Sequence, residues 1–328
     1  MTNTDLQNDI AKIVEMVNNY IQIHVKFSNT KLSEASRHLF NAGGKRIRPY
    51  IMTTVFSIFN DENSLIIPIA SAVEILHTFT LIHDDIMDKD EFRRGFPTVH
   101  TKWGENIAIL AGDSLQSLVF LIITRSSLNS SLKIKIISDF SATLIRICEG
   151  QAMDLQFEKR NDVSVDEYLD MVSRKTGDLL ALSARTGAIV AGANPDICNA
   201  LSQFGMNFGI GFQIVDDILG IIGDEKFGKP IGSDLRQGKK SYVILAALSL
   251  LNSSEKNELE GLLVNNNLTE KQIERGISLI QSSGAIEKAR DMANIFIQNA
   301  LNNLEHLPSH DGKKCLQLLT QISLQRNY

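Results

Sequence analysis

Apolar residues return every third or fourth position from about Asp5 to Lys26, and the same stripe recurs from Glu74 to Asp88, Leu132 to Met153 and Val165 to Val190. A helix of 3.6 residues per turn gathers such positions on one face, so each stripe predicts an amphipathic helix with its apolar side covered by protein. Between the stripes fall Gly43-Gly44, Gly95 with Pro97, Asn194-Pro195, Gly228 with Pro230 and Leu307-Pro308, residues that loosen or fix the backbone and interrupt helices. Few runs alternate with the period of a strand. The pattern predicts an all-α chain, about a dozen helices packed as one large bundle, with a single domain over residues 1–328 and no repeat of fixed period. The Gly- and charge-rich stretch Ile221–Lys240 reads as an ordered loop or lid. From Asn252 onward, short amphipathic segments between Asn and Ser turns read as structural.

Composition narrows the class. With 328 residues and 43% hydrophobic content the chain can bury a large core, and with 6% aromatics it must fill that core mostly with aliphatic side chains. A net charge of −5, without a long Lys/Arg run, argues against a general nucleic-acid binder. Cys148, Cys198 and Cys315 are far apart and form no CxxC pair, so neither a disulfide framework nor a zinc site is indicated. The polar start Met-Thr-Asn-Thr-Asp-Leu-Gln lacks the basic-then-apolar order of a signal segment, and the expected location is cytoplasmic. The apolar stretches read as shorter than the roughly 20 residues that cross a bilayer, so no transmembrane segment is expected.

The chemistry lies in aspartates set in apolar, helical surroundings: Asp84, Asp85 and Asp88 in Leu-Ile-His-Asp-Asp-Ile-Met-Asp, then Asp216 and Asp217 in Phe-Gln-Ile-Val-Asp-Asp-Ile-Leu. Two like charges about 4 Å apart repel by about 4 kcal/mol at an effective dielectric near 20, so such clusters require protons or cations. An oxygen-only donor set points to Mg²⁺. Asp84 and Asp88 stand at i and i+4 and project from one helix face, where they can grip one ion. Taken alone, either pair would more often be a solvated helix end. Basic clusters tip the balance: Gly43-Gly44-Lys45-Arg46-Ile47-Arg48-Pro49, Arg93-Arg94-Gly95, and Lys226, Lys229, Lys239 and Lys240. Arg forks and Lys point charges bind diphosphate oxygens, which Mg²⁺ bridges to carboxylates, so the ensemble describes a polyphosphate site. Lys313 and Lys314 read as solvated surface.

In order, Gly-Gly-Lys-Arg-Ile-Arg-Pro, His-Asp-Asp-Ile-Met-Asp, Arg-Arg-Gly-Phe-Pro-Thr-Val-His, Ala-Gly-Asp, Lys-Thr-Gly, Phe-Gln-Ile-Val-Asp-Asp and Gly-Lys-Pro-Ile-Gly-Ser-Asp-Leu resemble the motifs of trans-isoprenyl diphosphate synthases, most nearly the archaeal-type short-chain geranylgeranyl group, over Asn41–Lys240. The resemblance implies a helical isoprenoid synthase bundle with a central active-site cavity, isopentenyl diphosphate and allylic diphosphates as substrates, Mg²⁺ as cofactor and a homodimer. It makes Asp84, Asp88 and Asp216 the metal ligands, with Asp85 and Asp217 supporting them through water or Lys. Arg93, Lys175 and Lys239 would contact the allylic diphosphate with Lys229 nearby, while Lys45, Arg48, Arg94 and His77 would hold isopentenyl diphosphate. The Thr176 hydroxyl, the Lys175 carbonyl and the Gln213 amide are the implied cation-stabilising dipoles. Gln151 and Asp154 also match a family motif and are candidates to reach metal-bound water. His83 and His100 read as local hydrogen-bonding groups. The loop Lys229–Lys239 would close the pocket, and released pyrophosphate would take the proton, since no side-chain base is evident.

One position departs from the resemblance, Gly220, where the second motif commonly has a third aspartate. Phe79 and Thr80, five and four residues before Asp84, are the candidate chain-length residues; a farnesyl-type aromatic at 80 and a two-residue insertion are both absent, which suggests a C20 product. On an ideal helix Thr80 points with Asp84 and Phe79 lies well round, so Phe79 also reads as a core residue. The expected activity is head-to-tail condensation giving geranylgeranyl diphosphate. A farnesyl or mixed-length synthase is the near alternative. A terpene cyclase is disfavoured by Lys45, Arg48 and Arg94, and a non-catalytic regulatory subunit by the retention of both charged sets.

Overall fold

The computed structural model describes residues 2–223, 231–265 and 267–324. Its helices are α1 (Asn3–His24), α2 (Thr30–Asn41), α3 (Ile47–Ser57), α4 (Asn63–Met87), α5 (Val99–Trp103), α6 (Glu105–Arg125), α7 (Ser130–Phe157), α8 (Val165–Val172), α9 (Asp178–Val190), α10 (Pro195–Ile222), α11 (Ser233–Arg236), α12 (Tyr242–Leu250), α13 (Ser253–Leu263), α14 (Glu270–Ser282), α15 (Ala285–Leu304) and α16 (Asp311–Leu324). The all-α expectation holds, with more helices than the dozen expected because short segments such as α5 and α11 close single turns. Two local features escaped the periodicity. A two-stranded hairpin, β1 (Phe92–Arg93) and β2 (Phe96–Pro97), pairs Arg93 with Phe96. The stripe from Val165 to Val190 is broken by a π turn, Ser173–Gly177, between α8 and α9.

The chain forms two compact units. The first comprises Met1–Ala142, Leu182–Ser202 and His306–Leu318. Within it α4 packs against α6, α3 and α1. Its face of Ile66, Ile69, Ala70, Val73, Ile75 and Leu76 is fully buried, and each large aliphatic side chain removed from water contributes about 1.5–3 kcal/mol. The second unit comprises Thr143–Ala181, Gln203–Glu305 and Leu319–Tyr328. Its core joins Tyr168, Ile214, Ile218, Tyr242, Ile244, Leu279 and Ala289, with α12 packed against α15, α13, α14 and α8.

The membrane expectation needs correcting on length and composition. Asn63–Met87, Glu105–Arg125 and Pro195–Ile222 are each long and apolar enough to cross a bilayer, with mean hydropathies of 1.9, 1.9 and 1.2. None of the three is an unbroken apolar run, because polar residues such as Glu74 on α4, Asp113 on α6 and Asp216-Asp217 on α10 interrupt them. Core burial accounts for much of that apolarity, because 72% of the α4 window and 61% of the α10 window lie inside the protein, against 39% for α6.

Candidate active site

In the first unit, α4 carries Glu74, His77 and Asp84 along successive turns, and Asp88 closes its C-terminus. Asp85 is fully buried. Its Oδ1 accepts from Arg93 Nε at 2.5 Å, while Oδ2 is buried with no hydrogen-bond partner among the described residues. Burial pushes the Asp85 carboxyl up to about 6 despite the opposing pull of Arg93. Arg93 also lies 3.9 Å from Asp84 and 3.8 Å from Asp90. Arg93 is thus engaged by the carboxylates of the first motif.

The hairpin separates the two neighbouring arginines. Arg94 (φ 55°) and Gly95 (φ 77°) are its two turn residues, and positive φ at both is what a tight hairpin with right-twisted strands demands. Across this turn Arg93 reaches back to Asp85, while Arg94 donates from Nη1 to the Gly43 carbonyl. Arg94 thereby joins Arg46 and Arg48 around Glu74, whose carboxyl burial pushes up against the pull of all three arginines. Arg48 is half-buried and its Nε has no partner among the described residues. Burial lowers Arg48 to about 10, with Glu74 opposing and Arg94 reinforcing the shift. Burial and the surrounding arginines hold His77 well below the ordinary imidazole range, so it is neutral. Lys45 is exposed on the same loop. Arg48, Arg94 and His77 thus gather around Glu74, with Lys45 exposed on the adjoining loop and Arg94 still within electrostatic reach of Asp85.

Phe79 is buried and sits edge-on to His83, with ring centroids 4.8 Å apart. The Thr80 hydroxyl donates to the His77 carbonyl at 2.8 Å. His83 faces the Ile109 carbonyl at 3.3 Å and His100 faces Thr98, so both make the local contacts expected of them.

In the second unit, Asp216 and Asp217 lie on α10. Asp217 is buried and accepts from Tyr168 Oη at 2.5 Å, the Tyr242 N–H at 2.8 Å and Gln213 Nε2 at 3.1 Å. All three of these donors are neutral. Burial and the nearby Asp234 push its carboxyl up to about 7, against the pull of these hydrogen bonds. Because Asp217 takes its N–H, the Gln213 amide turns its oxygen to the Thr176 hydroxyl at 3.2 Å. Lys175 Nζ donates to Asp154 at 2.6 Å, and Lys239 Nζ stands 3.8 Å from the same carboxylate. Burial pushes Asp154 up, but the two lysines outweigh it and hold the carboxyl below its usual range. Asp154 is thus the counter-anion of Lys175 and Lys239, and Gln151 Nε2 is buried without a partner among the described residues.

Lys175 and Thr176 owe their placement to the π turn. A Cβ at Gly150 on α7 would stand 2.6 Å from the Lys175 nitrogen, and one at Gly209 on α10 would stand 2.8 Å from the Gly177 α-carbon. Only hydrogen at these two positions lets α7 and α10 close on the widened turn, a local distortion frequent at functional sites. Lys226 and Lys229 lie outside the described residues.

Among the described residues no three His, Cys, Asp or Glu side chains stand together as a ready-made metal cage. Mg²⁺ retains waters and binds through one or two carboxylates plus substrate phosphate oxygens. The buried, unpartnered Asp85 Oδ2 fits such an outer role. In the first unit Asp84 and Asp88 could ligate such an ion, and in the second Asp216 offers a further carboxylate; the donor atoms are all oxygen.

The helical architecture, aspartate helices and basic pocket define the isoprenyl diphosphate synthase class. Residues 29–280 match the polyprenyl synthetase family model, and the chain belongs to that family. It is 43% identical to the geranylgeranyl diphosphate synthase of Saccharolobus solfataricus over 336 residues, covering 99% of each chain. Its fold superposes on the crystal structure of geranylgeranyl pyrophosphate synthetase from Pyrococcus horikoshii with a TM-score of 0.92 and 36% identity, covering 98% of this chain and 99% of that one. A polyprenyl synthase from Caulobacter crescentus, solved with calcium and isoprenyl diphosphate, shares 28% identity with a TM-score of 0.89, covering 98% and 96% of the two chains.

Proposed function

We propose that the chain is a Mg²⁺-dependent trans-prenyltransferase that condenses isopentenyl diphosphate with dimethylallyl, geranyl or farnesyl diphosphate to give geranylgeranyl diphosphate and pyrophosphate. The observation that carries this reading is a second cationic cluster beside the first aspartate motif, Arg48, Arg94 and neutral His77 around Glu74, with Arg48 Nε buried and unpartnered among the described residues. A cyclase needs no such second pocket. Membership of the polyprenyl synthetase family and the likeness to geranylgeranyl diphosphate synthases support the substrate class and the C20 product.

On this reading Lys45, Arg48 and Arg94 neutralise the isopentenyl diphosphate, and neutral His77 supplies a hydrogen bond without further charge. Lys175 and Lys239 hold the allylic diphosphate when they exchange Asp154 for substrate oxygens. Mg²⁺ bound by Asp84, Asp88 and Asp216 would neutralise the departing pyrophosphate and so favour ionisation of the allylic C–O bond. The Lys175 carbonyl, the Thr176 hydroxyl and the Gln213 amide present oriented dipoles to the carbocation, a preorganised arrangement that stabilises charge without reorganisation. The released pyrophosphate accepts the proton.

The single-domain expectation for residues 1–328 and the homodimer belong to the same proposal. The dimer is supported by exposed Ile109 (38%), Leu110 (52%) and Leu121 (42%) on α6. A reducing cytoplasm is proposed as its setting, consistent with Cys148, Cys198 and Cys315 forming no disulfide. The test is turnover by the purified chain with isopentenyl diphosphate and each allylic starter, with and without Mg²⁺. A C20 product formed only when both substrates and Mg²⁺ are present is expected; consumption of allylic diphosphate alone would identify a cyclase, and no turnover a regulatory subunit.

A further inference from the structure

Arg46 and Glu74 remain outside the roles assigned so far, yet they form a buried ion pair, 3.1 Å long with side chains 1% and 4% exposed. Such pairs are seldom retained for stability, since apolar replacements are often neutral or better, so what this one holds in place matters. The Arg46 guanidinium donates to Glu74 Oε1, to the Phe40 and Gly43 carbonyls at 2.9 and 3.0 Å and to Asn18 Oδ1 at 3.1 Å. It therefore ties the end of α2 and the glycine loop to α1 and α4. Its own backbone is left-handed (φ 47°, ψ 40°), immediately before α3 begins at Ile47. That conformation is unfavourable for a residue with a Cβ and persists where surrounding contacts enforce it. Lys45 precedes this bend and Arg48 follows it by two residues. A Cβ at Gly44 would meet Arg46 Nη1 at 2.6 Å and Arg94 Nη1 at 2.5 Å, so the bend also packs against the third arginine of the pocket.

We infer that Arg46 and Glu74 are positioning residues for the metal-free diphosphate pocket: the buried pair pins the left-handed bend that aims Lys45 and Arg48, and Glu74 balances the arginines packed around it. The inference rests on the diphosphate reading of that pocket. Neither side chain touches substrate.

The test is calorimetric titration of the full chain with isopentenyl diphosphate in the presence of a chelator, paired with kinetics in Mg²⁺. Glu74→Gln removes the countercharge and Arg46→Lys keeps the charge but loses the fork; each is expected to weaken isopentenyl diphosphate binding about tenfold or more, by losing charge-assisted hydrogen bonds. Asn18→Ala deletes one outlying contact of Arg46 from half-exposed α1, and about a threefold loss is expected. In all three the KM for allylic diphosphate should stay within about twofold, a split that general loosening of the fold would not produce. Unchanged or tighter isopentenyl diphosphate binding in these variants overturns the inference, as does an equal loss for both substrates. Should Glu74→Gln fail to fold, Asn18→Ala decides by the same split. Failure of the unaltered chain to bind isopentenyl diphosphate removes the functional reading itself, and the inference with it.

Discussion

The arginine pocket of the first unit and the Asp217 cluster of the second solve opposite electrostatic problems. Around Glu74 the surplus is positive: Arg46, Arg48 and Arg94 crowd a single buried carboxylate, and His77 is held neutral. Around Asp217 the surplus is negative, and Tyr168, Gln213 and the Tyr242 N–H supply neutral donors while burial, reinforced by Asp234, raises the carboxyl. On the proposed function the first region receives an anion without a metal. The second becomes comfortable only when protons or a cation arrive. Uncoupling these two modes is the way to test the contrast.

The largest effect should come from the carboxylates assigned to the metal. Asp84→Asn or Asp216→Asn is expected to lower kcat by about a thousandfold or more, because the leaving group loses its principal charge stabilisation, with isopentenyl diphosphate binding in chelator unchanged. Arg48→Gln should do the reverse. Steady-state kinetics should show the KM for isopentenyl diphosphate rising about 10- to 100-fold, the equivalent of about 1.5–3 kcal/mol for a charged hydrogen bond, while the KM for the allylic partner holds.

Tyr168→Phe removes one of three donors to Asp217, and chemical denaturation of the metal-free chain should reveal a loss of about 1–3 kcal/mol. The loss should be larger at pH 8 than at pH 5. Asp217 has a folded-state carboxyl raised to about 7, so its contribution to stability is fully present below the ordinary carboxylate range and is lost as pH rises through 7. Above that pH the carboxylate is charged and depends most on its donors. The smallest effect concerns product length: Phe79→Ser should lengthen the prenyl product, because a tunnel gains about 0.8 kcal/mol per buried methylene until a side chain blocks it. An unchanged product chromatogram would remove Phe79 from that role.

Much of the candidate site was legible because its residue types announce their chemistry wherever they fold. Asp84 and Asp88 at i and i+4 remain on consecutive turns of α4, and Arg48, Arg94 and His77 gather as expected. Partners distant in sequence were not legible. Tyr168 reaches Asp217 across 49 residues and Arg46 reaches Glu74 across 28, and neither contact leaves a periodic trace. The π turn that carries Lys175 was hidden because it interrupts one turn of an otherwise continuous helical stripe. The hairpin was hidden because two strands of two residues are too short for alternation, although Arg94-Gly95 between Phe92 and Phe96 is turn chemistry in retrospect.

The contrast between the two regions is tested most directly by titrating the purified chain with each substrate class, isopentenyl diphosphate and an unreactive allylic diphosphate analogue, with Mg²⁺ and with chelator. The account predicts that isopentenyl diphosphate binds equally well under both conditions while the allylic analogue binds only with Mg²⁺. Loss of isopentenyl diphosphate binding in chelator, or metal-independent binding of the allylic analogue, would contradict it.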